Sequence, residues 1–148
     1  MMLRKPSEID YLENYYITTY TSAIYYKHSI MTTKKTFLKK LFKSLYNQKK
    51  AIKSDLDKHI LEARDQDYLD ELQLKCKKEV LKMDRYLRDN TNPKYGQICT
   101  KIEGRFFHHL QESLKLLTDG SLRNTLLSHK YKSQILREKL LLVNKYLI

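Results

Sequence analysis

The sequence predicts an all-α fold: a single domain over residues 1–148, built as an antiparallel bundle of four or five helices. Three observations carry this. Apolar residues recur every three to four positions along most of the chain. Only 3 glycines and 2 prolines occur, too few for a fold rich in hairpins and tight turns. Hydrophobic residues make up 41% and charged residues 31%, a balance that favours neither a disordered chain nor a membrane class.

The elements follow in order. Ser7 with Asp10 forms an acidic variant of a capping box. Ile9, Leu12, Tyr16, Tyr20, Ala23 and Ile24 then predict a helix over about 8–30. From Thr33 a second stripe runs through Leu38, Leu41, Phe42, Leu45, Ile52, Leu56, Ile60 and Ala63. Ser54 with Asp57 marks either a new start or the interior of one long helix. Asp65-Gln66-Asp67 is the weakest point of the pattern, and Leu69, Leu72, Cys76, Val80, Met83 and Leu87 resume it. Asn90, Asn92, Pro93 and Gly96 make residues 88–97 the one clear loop. Thr100 with Glu103 reads as the next start, followed by Phe106, Leu110, Leu114 and Leu117. Gly120 fits a left-handed cap ending that helix. Ser121 would cap the last helix, with Leu122, Leu126, Ile135, Leu136, Leu140 and Leu147 on its apolar stripe.

The formal net charge is +12, unevenly spread. Residues 34–53 hold eight lysines and no acid: Lys34, Lys35, Lys39, Lys40, Lys43, Lys49, Lys50 and Lys53. Residues 55–71 hold seven acids against Lys58 and Arg64. Eight like charges on one helix repel each other and attract a polyanion, whose counterions are released on binding. Lysine without arginine suits phosphate contact better than base readout. Phe37, Phe42 and Tyr46 lie among the lysines, and aromatic faces stack on exposed bases. The leading expectation is a non-enzymatic module that binds nucleic acid, RNA before DNA. Other readings of the same charge are a solvated face, an acidic protein partner or an anionic membrane surface. The acids of 55–71 could also lie against the lysines and mask them.

Catalytic and metal signals are sparse. No glycine-rich phosphate loop and no zinc spacing occurs, so neither cofactor nor metal is expected. His109 and Glu112 share a helix face, a weak ligand set. Asp55 and His59, four apart, are placed to pair. Cys76 and Cys99 read as reduced thiols, with Cys76 on a buried stripe. Tyr15-Tyr16 and Tyr25-Tyr26 are expected to plug the core edge with hydroxyls in water, an exposed aromatic surface being the alternative. No stretch nears the roughly 18 apolar residues of a transmembrane helix, and no secretory signal is seen. The expected location is intracellular, cytoplasmic or nuclear, and not secreted.

Residues 123–131 read Arg-Asn-Thr-Leu-Leu-Ser-His-Lys-Tyr. An Arg, an adjacent Asn and a His six residues after the Arg resemble the motif of the HEPN-domain ribonucleases. Those are small helical bundles that usually dimerise, so the resemblance also implies a possible homodimer. It implies metal-independent RNA cleavage with His129 as general acid or base. Arg123 would stabilise the charge growing on the phosphate, and Asn124 would orient Arg123 or His129. The class opposed to both is a helical structural or protein-interaction subunit.

Overall fold

A computed structural model describes residues 8–89, 95–118 and 120–144. The capping box at Ser7, the middle of the 88–97 loop, the Asp119 position and Leu147 lie outside the described residues. A 3-10 turn over Glu8–Leu12 leads into α1 (Glu13–Thr32). Then come α2 (Thr36–Ala63), α3 (Gln66–Asp89), α4 (Tyr95–Leu116) and α5 (Gly120–Asn144). The fold is an all-α bundle, as the 3.6-residue period predicts.

Four helices close a ring: α1 packs on α2, α2 on α5, α5 on α4, and α4 on α1. The remaining helix, α3, lies against α1 and α2. The core has two parts stacked along the bundle. One gathers Leu12, Tyr15 and Tyr16 with Ile52, Leu56, Ile60, Leu72, Phe106, Leu110 and Leu126. The other gathers Tyr25 and Tyr26 with Leu38, Leu41, Phe42, Leu45, Cys99 and Leu140. Each helix passes from one part to the other, and successive helices pass in opposite directions. Each fully buried Leu, Ile or Phe contributes about 1.5–3 kcal/mol.

The interior helix α1 is rich in Thr, Ser and Tyr, types that favour strands or caps over helix interiors. Its Thr and Ser hydroxyls are satisfied locally. Thr19 donates to the Tyr15 carbonyl, Ser22 to Thr18 and Ser29 to Tyr25, at 2.6–2.9 Å. A hydroxyl bonded to the preceding turn can be buried without an unmet polar group. That is how a helix with little amphipathic character occupies the centre of the fold.

Several sequence expectations are corrected. The tyrosine pairs are neither edge plugs nor an exposed surface: all four rings are buried at 0–1% exposure. At Ser54 and Asp57, where the pattern leaves two alternatives open, α2 runs unbroken as one long helix. The chain does break at Arg64-Asp65, where the Asp65 side chain accepts the Tyr68 amide. Helix α4 starts at Tyr95, before Thr100, and Glu103 faces inward because it shares a stripe with Cys99, Phe106 and Leu110. Gly120 opens α5 instead of capping α4, and no described residue has positive φ. Ser121 is therefore inside the helix, its carbonyl accepting the Thr125 hydroxyl. Ile135 is exposed, because the core stripe of α5 passes through His129 and Ser133 to Leu140.

Candidate nucleic-acid interface

The lysine run lies on the first two thirds of α2 and the connection before it. Lys34, Lys35, Lys39, Lys40, Lys43 and Lys50 are exposed. Among the described residues none of these six has an ion-pair partner. The acids of 55–71 face elsewhere. Asp55 accepts from His129 and Asp57 from Tyr16; Asp70 accepts from Gln66. Of these acids only Asp57 reaches a lysine of the run, Lys53, at 2.9 Å. Arg64, within the acidic segment, pairs with Asp10.

Antiparallel packing sets the lysine run and the acidic run at opposite ends. Residues 21–50, around the second core part, include eight lysines and no acid. The opposite end holds the seven acids of 55–71 with Asp10 and Glu13. The exposed lysines thus share one end of the bundle, unpaired although Asp84 of α3 and Glu138 of α5 belong to the same end. Of the three aromatics in the run, Phe42 is wholly buried and Tyr46 packs against the core. Phe37 is 50% exposed.

Two of the eight lysines leave the surface. Lys53 is half-buried beside Asp57. Lys49 is fully buried, its ammonium 2.9 Å from Glu103 Oε1 and 3.7 Å from the Phe106 ring centroid. Burial pushes the Lys49 ammonium below its usual range, while the Glu103 charge opposes that fall. Lys49 therefore cannot contact a phosphate. Its spacing held the signal: it stands in register with Leu45, Ile52 and Leu56, and a lysine on a core stripe needs a buried partner.

His129 is also interior. Its Nδ1 lies 3.0 Å from the Tyr15 hydroxyl and its Nε2 2.9 Å from Asp55 Oδ2. A carboxylate only accepts, so Nε2 carries the ring proton and Nδ1 accepts from Tyr15. One neutral tautomer satisfies both contacts. Burial lowers the His129 imidazole, with the Asp55 hydrogen bond and charge opposing. Burial also raises the Tyr15 phenol well above its ordinary range, so it keeps the proton it donates.

Arg123 projects the other way and donates to the Leu114 carbonyl near the end of α4. Asn124 is exposed. These contacts do not bring Arg123 and His129 to a common partner. The expected Asp55–His59 pair is corrected as well: His59 bonds the Thr125 hydroxyl at 3.0 Å, leaving Asp55 to His129. Asp55, Lys58, His59, Glu62, Thr125 and Ser128 line an open cleft of about 260 Å³.

His108 and His109 touch ring to ring, at 5.2 Å between centroids. Among the described residues no three His, Cys, Asp or Glu side chains are grouped to hold a metal ion. Both thiols are buried and free, and burial pushes Cys76 and Cys99 up to about 12, the range of inert thiols. Among the described residues no helix is long and apolar enough to cross a membrane.

No protein-family model, curated protein or solved structure matches this chain.

Proposed function

We propose that the protein binds the phosphate backbone of nucleic acid, RNA before DNA, without catalysis and with little sequence preference. The observation that supports this is the set of six exposed lysines on and before α2, none of them held in an ion pair among the described residues. Lysine is a point charge on a flexible stem, suited to phosphate and poor at reading bases. The interior contacts favour binding over cleavage. His129 has both nitrogens engaged inside the fold, and Arg123 is spent on the end of α4.

The test is binding to a labelled RNA across a salt series. With all six lysines on phosphates, log K should fall against log salt with a slope of about −4 on a single strand. Changing Lys34, Lys39, Lys40 and Lys43 together to Ala should remove roughly two thirds of that slope and weaken all sequences alike. Lys115→Ala, at the opposite end, should change neither. Binding that ignores salt, or survives the fourfold change, rejects the reading.

A further inference from the structure

The corner where α1 passes into α2 combines positive charge with exposed apolar groups. Met31, in the last turn of α1, is 79% exposed, and Phe37, in the first turn of α2, is 50% exposed. Lys34 and Lys35 occupy the three-residue connection between them. Lys40 is one turn beyond Phe37 on the same side of α2, and Lys27 and His28 are exposed on the last turns of α1. No acid occurs anywhere from residue 21 to residue 50.

Each group fits one ligand. Cations spaced around an aromatic face match phosphates spaced around an unpaired base, and a base stacks on a ring whatever its identity. A duplex keeps its bases stacked inside and offers Phe37 nothing. A lipid surface fits less well. Membrane-binding helices lay a long apolar face into the bilayer, whereas the apolar face of α2 from Leu38 to Ile60 is turned into the core. We propose that this corner is a single-strand site, in which Phe37 stacks on an unpaired base while Lys34, Lys35 and Lys40 hold the flanking phosphates. The proposal rests on the backbone-binding reading and adds a preference for single strands.

The chain contains no tryptophan, so Phe37→Trp creates a single fluorescent reporter at the site. The probes are a twelve-nucleotide oligouridylate, an RNA duplex of equal length, and phosphatidylserine–phosphatidylcholine vesicles. The oligouridylate should quench the tryptophan at low salt, and the duplex should leave it bright. Phe37→Ala should weaken oligouridylate binding about 5- to 140-fold, the range for losing one stacked base, and leave duplex binding unchanged. Phe37→Leu, apolar but without a ring, should behave like Phe37→Ala. Salt-dependent binding of both nucleic acids that is indifferent to Phe37 overturns this proposal and leaves the backbone reading standing. Loss of all nucleic-acid binding overturns both. A blue shift with vesicles and no quenching by oligouridylate overturns it in favour of a lipid surface.

Discussion

Glu103→Leu is expected to cost about 3–5 kcal/mol of folding stability, because it strands the Lys49 ammonium in the core. For a chain of this length that is roughly 10–15 °C of melting temperature. Lys49→Met should cost a similar amount by stranding the carboxylate. The cation–π contact with Phe106 would go with it, a contact worth about 2 kcal/mol when desolvated. The double variant Lys49→Met/Glu103→Leu should recover most of the loss, since two apolar side chains of similar size remove both desolvation costs. Urea denaturation of the four proteins closes the cycle. If the double variant loses the sum of the single losses, the two charges are not coupled and the geometry is misread.

Acid should destabilise the protein through His129. Unfolded, an imidazole takes its proton near pH 6.5; folded, burial lowers that value. As the pH falls through 6.5, the unfolded chain therefore binds the proton first, and stability falls with pH until the folded imidazole is charged too. Protonation also gives Nδ1 a hydrogen where it now accepts from Tyr15, so the Tyr15 hydroxyl must turn from donor to acceptor. His129→Gln should flatten the dependence of stability on pH between about 7 and 5. Tyr15→Phe should cost about 1–3 kcal/mol at neutral pH by leaving Nδ1 unsatisfied in the interior. Denaturation midpoints from pH 5 to 8 check both. Identical slopes for the parent and His129→Gln would remove His129 as the titrating group.

These two contacts bear on how the bundle closes. Neighbours around the ring pack directly, but α1 and α5 face each other across the centre, as do α2 and α4. Tyr15–His129 spans the first diagonal and Lys49–Glu103 the second. Phe106 joins them, lying under Lys49 and 5.3 Å from the Tyr15 ring. A hydrophobic contact tolerates sliding, whereas these polar links hold only in one register.

The helical class was legible because Leu38, Leu41, Leu45, Ile52, Leu56 and Ile60 keep one period, while Ser54 with Asp57 leaves the continuity of α2 open in the sequence. The break after Ala63 was legible because two aspartates interrupt that period. Partnership was harder to read. Lys49 and Glu103 each stand on a core stripe, a signal present in the sequence, yet seven neighbouring lysines mask it at Lys49. His129 also keeps the register of Leu122, Leu126 and Ser133, but nothing local shows that Asp55, on another helix, meets it. Gly120 and Ser121 are ambiguous in the sequence because a glycine near a helix boundary serves either side of it. For the lysine run, composition supplied the charge. Only the packing separates the six exposed lysines from the two that turn inward.

The hydroxyls of α1 bear on how the molecule comes apart. In water, Thr18, Thr19, Ser22 and Ser29 would find competing partners, and this segment alone would be a poor helix. Its order is borrowed from the helices packed around it. Peeling away α2 or α4 should therefore melt α1 in the same event, so fragments lacking either helix should not retain it. Amide protons of α1 should exchange only when the whole bundle opens.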